Sequence, residues 1–293
     1  MIRKVIFFLA LAFTVFRFYG LEPSDDRVMM DNYRVSSTFG DFRDDHFHTG
    51  LDLVSRDENI KTVMDGEVVF YNRDLPGGIK YGNGNFVILE NAAKKLRVNY
   101  SHLKDGSFNP GIVIYKKGDG IARIGNTGAS TGPHLHLEIE DTKKHEIVNP
   151  LFYVSVEDNT PPRLADIYFI TSDNSVVSLI AKGEYRIKNG GELFVKCFDV
   201  SGGNRFAPYK INLFINGVEK AGIVFDRLIE YNYDLITTGS KGFTGIYRHG
   251  EGLDFYLADF YSVPGLVGIK ISIEDFYGNK TIVTRSILVE LPD

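Results

Sequence analysis

Tryptophan is absent from the 293 residues, cysteine occurs once, at Cys197, and basic side chains do not outnumber acidic ones: 33 Lys+Arg stand against 38 Asp+Glu, a formal net charge of −5. Each shortage excludes something. A single thiol closes no intrachain disulfide and cannot build a cysteine-rich structural zinc site. A net-acidic chain offers no bulk attraction to nucleic acid or to an anionic membrane surface, so any partner must be recognised at a local site. Without Trp, a sugar-stacking platform would have to use Tyr or Phe. Sustained helical periodicity is missing from Tyr33 to about Tyr153 as well, since no stretch of twelve or more residues there keeps a 3.6-residue apolar repeat. What remains, 43% hydrophobic and 24% charged residues, is ordinary for a folded protein and excludes a disordered chain or a multispanning membrane protein. The length suits about two domains, each large enough to bury a core.

Residues 1–20 read as an address. A basic start, Met1 to Lys4, precedes an apolar run from Val5 to Phe16 broken only by Thr14. That run has the length of an export signal and is short for a membrane span. Gly20 marks a cleavage edge, but bulky Phe18 lies two positions before it, so both removal and retention as an N-terminal anchor stay open. No cysteine lies near this edge, which excludes lipid attachment there. Residues 21–157 are short β-rich runs separated by Gly, Asn and Asp, and predict a domain of mainly antiparallel strands. A linker is expected over 158–163, where Pro161 and Pro162 remove two backbone donors. Residues 164–293 alternate more cleanly: Ile211, Leu213 and Ile215, then Ile269, Ile271 and Ile273, each predict a strand with one buried face. Two similar turns, Asp199 to Asn204 and Asp275 to Asn279, follow apolar strands. The pattern predicts an all-β chain whose second domain is a β-sandwich of immunoglobulin-like type. Cys197, among Leu193, Phe194, Val195 and Phe198, reads as a buried small hydrophobe.

The histidines carry the chemistry. Five polar residues fall in three short segments: His48 and Asp52 in Phe47 to Asp52, His102 in Tyr100 to Leu103, and His134 and His136 in Gly128 to Glu138. On a strand, residues two apart share a face, so His134 and His136 look one way while Leu135, Leu137 and Ile139 face the core. On a helix the two imidazoles would diverge by about 200°. His48 and Asp52, four apart, can also share a side in extended chain. Imidazoles with a carboxylate are preferred zinc ligands, and three such ligands leave the fourth position open to water, as in a catalytic site. The candidates number more than three, and spacing alone does not decide which of His134 and His136 is a ligand. Zinc polarises a carbonyl and lowers the pKa of its water, and surplus imidazoles can move protons or stabilise an oxyanion, which is what peptide hydrolysis needs.

At these residues the chain resembles the lysostaphin/LytM-type zinc endopeptidases. The resemblance runs from about Phe39 to Tyr153 and includes the Phe39 to Arg43 lead-in, the Asp65 to Val68 turn and Ile124 to Gly128. It implies a mainly antiparallel β domain with a narrow groove, zinc bound by His48, Asp52 and His136, and His102 and His134 as catalytic histidines. Bacterial peptidoglycan peptides are the implied substrate.

Other readings of the same residues are weaker. His46 forms a second His-x-His with His48 and reads as a solvated bystander. His145 to Asn149 nearly reproduces a helical His-Glu-x-x-His zinc motif, but Asn149 replaces the second His and Pro150 follows. His249 reads as a turn residue. Tyr100 and Ser130 are candidates for positioning substrate, and no Gly-x-Ser-x-Gly elbow makes Ser130 a nucleophile. The expected function is an exported zinc metalloendopeptidase of the periplasm or cell envelope, with one Zn2+ per chain and peptidoglycan peptides as partners. The membrane is a partner only if residues 1–20 are retained. The second domain is expected to support catalysis or to bind a cell-envelope protein. The alternative is a wall-binding regulator that keeps the fold, does not cut, and activates another hydrolase.

Overall fold

The computed structural model describes residues 27–29, 32–73, 82–181, 184–188, 190–239, 241–248, 252–260 and 264–290. The export segment at 1–20 and His249 lie outside the described residues. Alternating apolar residues form the main strands of the first half: β1 (Tyr33–Ser37), β2 (Leu51–Ser55), β3 (Gly66–Asn72), β4 (Phe86–Asn91), β5 (Leu96–Ser101), β6 (Leu135–Asp141) and β7 (Glu146–Val148). They pair antiparallel in the order β3–β4–β5–β6–β7, with β2 also on β6 and β1 on β2.

Their inner face is continuous. Val87, Leu89, Val98, Tyr100, Leu135, Leu137 and Ile139 are fully buried, and each large apolar side chain contributes about 1.5–3 kcal/mol by leaving water. Tyr100 belongs to this core rather than to a substrate surface. Its hydroxyl accepts a hydrogen bond from the Val63 amide at 2.9 Å, and burial pushes the phenol above its usual range.

The second half contributes β8 (Arg163–Thr171), β9 (Gly191–Ser201), β10 (Asn204–Phe206), β11 (Lys210–Ile215), β12 (Val218–Val224), β13 (Arg227–Tyr231), β14 (Asp234–Thr237), β15 (Asp254–Phe260), β16 (Gly265–Glu274) and β17 (Lys280–Glu290). One sheet runs β8–β9–β10 with β15 beside β9, and the other runs β17–β16–β11–β12. Ile211, Leu213, Ile269, Ile271 and Ile273 are buried between them with Phe169, Leu193 and Cys197, which is the layering of two packed sheets. Burial raises the Cys197 thiol well above its ordinary value, so it stays protonated and packs as a hydrophobe.

The two halves interlock beyond the 158–163 segment. β7 pairs with β13, Glu146 opposite Ile229 and Val148 opposite Arg227, and an Arg227–Glu146 ion pair at 2.7 Å reinforces the junction. Phe39 and Phe47 enter the core of the second half, while Phe206 enters that of the first.

Beside the junction, carboxylate oxygens of Asp158, Asp199 and Asp275 lie within 4.8 Å of one another. Each accepts hydrogen bonds from its own turn. Burial, with Asp158 and Asp275 adding to it, pushes Asp199 up to about 7. A carboxyl whose folded value exceeds its unfolded one favours folding at low pH, and that contribution is lost as pH rises through the folded value. Stability is therefore expected to fall between about pH 4 and 7, at up to roughly 1.4 kcal/mol per pH unit from this group. Chemical denaturation across that range should show a flatter profile for Asp199→Asn; an identical profile would refute the assignment.

Candidate metal centre and its cleft

The metal-ligand candidates meet where β2 and β6 run side by side. His136 lies opposite Asp52 on one side and Ser101 on the other. Burial of Leu135, Leu137 and Ile139 then leaves the His136 ring on the open face, as the period of two predicts. His48 reaches the same point differently. It stands before β2 rather than within it, so its nearness to Asp52 comes from the loop and not from strand alternation. Gly50 makes that loop feasible: a Cβ there would sit 2.6 Å from His136 Cε1 and 2.7 Å from the Leu137 carbonyl oxygen.

His48 Nε2, Asp52 Oδ1 and His136 Nδ1 form a triangle with edges of 3.0, 2.9 and 3.1 Å. Tetrahedral ligands at zinc distances would stand roughly 3.3 Å apart, so these donors can close on one metal ion with little movement. The supporting contacts are specific. His48 Nδ1–H donates to the Thr38 carbonyl at 2.7 Å, which leaves the Nε2 lone pair facing the cluster. Asp52 divides its oxygens: Oδ1 faces the histidines, and Oδ2 accepts from Arg43 Nη2 at 3.0 Å. Burial opposes ionisation of Asp52, but the neighbouring His136 and His48 rings outweigh it and hold the carboxyl well below its usual range.

Two more histidines line the opening. The His102 and His134 rings are 4.7 Å apart, and His102 is 5.9 Å from His136. His102 follows β5 with φ of 60°, a left-handed conformation that costs a non-glycine residue about 1 kcal/mol or more and is often found at functional positions. Its Nδ1–H donates to the Thr127 carbonyl at 2.8 Å. His134 Nδ1–H donates to the Gly132 carbonyl at 2.8 Å, while its Nε2 lies 3.7 Å from Asp52 Oδ1. Carbonyls only accept, so both rings hold the proton on Nδ1 and keep Nε2 toward the cluster. Burial, aided by His134, lowers His102 to about 4, so its ring is uncharged at neutral pH. Ser130 lies beside His134, its hydroxyl within hydrogen-bond reach of two acceptors, Asn126 Oδ1 at 2.7 Å and the Gly132 carbonyl at 2.8 Å.

The remaining histidines stand apart. His46 is exposed and pairs with Asp45. His145 occupies the turn from β6 to β7 with φ of 57°, not a helix, and the neighbouring Glu146 is taken by Arg227. Residues around the cluster carried no spacing signal of their own. Arg43 is held by a two-residue hairpin, Phe42–Arg43 against His46–Phe47. Buried Asp41 accepts from Ser37 Oγ, from the Thr38 amide at 2.9 Å and from the Ala207 amide at 2.6 Å. A chain of contacts thus runs from the second half through Asp41 and Thr38 to His48.

The family model described as Peptidase family M23 matches residues 46–150. Curated relatives include an uncharacterized metalloprotease of Haemophilus influenzae, 36% identical over 107 residues, covering 36% of this chain and 20% of that protein. Another is the DD-carboxypeptidase/endopeptidase Mpg of Neisseria meningitidis serogroup B, 35% identical over 112 residues, covering 36% of this chain and 24% of that protein. The chain thus spans about a fifth to a quarter of the length of these relatives. Among solved structures, a zinc-containing peptidase from Vibrio cholerae aligns at 24% identity and a TM-score of 0.36, over 48% of this chain and 41% of that one. The catalytic domain of lysostaphin from Staphylococcus simulans aligns at 26% identity and a TM-score of 0.32, over 37% and 80%. The matched span contains His48, Asp52, His102, His134 and His136, and over residues 46–150 the chain is similar to peptidase family M23.

Proposed function

We propose that the chain is an exported zinc metalloendopeptidase that hydrolyses peptide bonds in the stems or cross-bridges of peptidoglycan. In this reading His48, Asp52 and His136 hold one zinc ion, and His102 and His134 are the catalytic histidines. The observation that carries it is the convergence of three ligand atoms within 3.1 Å of one another beneath two further imidazoles whose Nδ1 atoms are anchored on carbonyls. Zinc bound there would supply Lewis acidity toward a scissile carbonyl and activate a water near neutral pH.

The protein's own contribution is positional. The uncharged His102 ring can take up a proton at Nε2, and once protonated the same atom can donate to the leaving amine. His134 Nε2, on the same side of the cleft, suits stabilisation of the developing oxyanion in its protonated form. Arg43 and the Thr38 carbonyl hold Asp52 and His48 so that neither must reorient. Peptidoglycan as substrate is supported by the name of the Neisseria relative, and export by the apolar run at residues 5–16.

The test is incubation of the zinc-loaded protein with purified sacculi, followed by mass analysis of released fragments. His102→Ala is expected to keep about one metal ion per chain while turnover falls by roughly 10² or more. Loss of metal in that variant would instead make His102 a ligand. A wild type that releases no fragments, yet stimulates a partner hydrolase, would replace the peptidase reading with the regulatory one.

A further inference from the structure

We propose that Arg205 anchors a free carboxylate of the substrate, so that the cleft favours peptides whose C-terminal acid lies close to the bond being cut. This deepens the peptidase reading above and rests on it. Beside the metal cluster lies a cavity of about 560 Å³. Asp52, Arg43 and His134 line it together with Arg205 and Leu253 of the second half. Two guanidinium groups therefore face one cavity, but they are not equivalent. Arg43 is already engaged by Ser37 Oγ at 2.8 Å and Asp52 Oδ2 at 3.0 Å. Arg205 forms no ion pair among the described residues.

Arg205 is exposed, and its Cζ lies 4.4 Å from the centroid of the Phe198 ring. An arginine resting on an aromatic face keeps its in-plane N–H donors available, and those donors match the two oxygens of a carboxylate. The ring also restricts the side chain, so less freedom is lost when the anion arrives. The backbone is fixed too. Arg205 sits in the short strand β10 (Asn204–Phe206) beside buried Phe206, and the next residue, Ala207, donates to Asp41 at 2.6 Å. Asp41 in turn holds the Thr38 amide, and the Thr38 carbonyl holds His48. One run of contacts therefore sets the distance between the arginine and the metal cluster. Around them the chain is acidic, with 22 Asp+Glu against 16 Lys+Arg over residues 21–159, so an anionic peptide end gains nothing from the general field and needs a local cation.

The chemistry selects a substrate class. In a peptide cut at its last bond, the existing C-terminal carboxylate stands only one residue beyond the scissile carbonyl, a reach of about 3.5 Å. Peptides with a D-configured terminal residue, as the free acid or as the carboxamide, differ at that group alone.

The experiment uses the full, zinc-loaded protein with this matched pair. The wild type is expected to show a lower KM for the acid, and Arg205→Ala to raise the acid-to-amide KM ratio by roughly 10-fold or more, with the larger change in KM rather than kcat. Arg205→Lys should recover part of the preference, and Phe198→Leu should weaken it less than Arg205→Ala. Calorimetric titration of both peptides into wild type and Arg205→Ala provides a readout independent of turnover. Equal binding of acid and amide by the wild type, or equal losses for both peptides in Arg205→Ala, would overturn the proposal. Cleavage of both peptides without discrimination would leave the peptidase reading standing while this one falls. Discrimination in binding without any cleavage would do the reverse.

Discussion

His136→Ala is expected to release the metal and to lower turnover by about 10³ or more while the fold stays in place. Its Nδ1 stands 2.9 Å from Asp52 Oδ1 and 3.1 Å from His48 Nε2, and removing it leaves two protein ligands where an open catalytic site uses three. Loss of a Lewis acid costs several kcal/mol of transition-state stabilisation, and each 1.4 kcal/mol or so is a factor of ten. The fold should survive because β6 keeps its backbone pairing with β2 and β5, and buried Leu135 and Leu137 are untouched. Metal per chain by elemental analysis, fragment release from sacculi and near-ultraviolet circular dichroism check the three parts. A variant that keeps its metal and its full activity would remove His136 from the ligand set.

Gly40→Ala is expected to destabilise the protein by about 2–5 kcal/mol without touching a ligand. Gly40 has φ of +87° and packs so closely that a Cβ would lie 2.2 Å from Phe225 Cδ1. Phe225 is buried and meets Phe47 edge-on, with centroids 6.1 Å apart, so its ring has little room to yield. A left-handed alanine costs about 1–2 kcal/mol and overpacking another 1–3. Around Gly40, its amide donates to the His48 carbonyl at 2.8 Å and its carbonyl accepts from Tyr247 Oη at 2.8 Å. The damage should therefore reach the His48–Asp52–His136 cluster as well as the junction. Thermal melts should show a drop of several degrees or more. Adding Phe225→Leu should recover part of it, since the two changes share one contact. A melting temperature equal to that of wild type would contradict the close packing.

What the sequence made legible follows from periodicity and spacing. His134 and His136 could be placed on one face because a strand alternates every residue, and the flanking leucines are indeed buried. The same rule gave the right company for His48 and Asp52 for an incomplete reason: the Gly50 loop, not strand alternation, brings them together. Arg43 and Asp41 stood in the lead-in, yet nothing local signalled that one would grip Asp52 and the other Ala207, 166 residues away. The pairing of β7 with β13 was invisible for a related cause. Two short strands separated by some eighty residues share no period, and only the folded geometry shows that Ile147 and Leu228 stand opposite one another. Tyr100 shows the opposite error, since a polar tip in a motif suggested contact with substrate although the ring is wholly buried.

The contacts that reach from the second half to the loop beside His48 impose an order in time. Asp41 meets its donor on Ala207 across 166 residues, and Gly40 meets Tyr247 across 207. Ring closures of that span come late, because the chain entropy must be surrendered before the contact repays it. The three histidine-bearing motifs are complete by residue 138, yet the backbone that steers His48 takes partners from beyond residue 206. The loop that carries His48 therefore has its full set of backbone partners only when the chain as far as Tyr247 is in place.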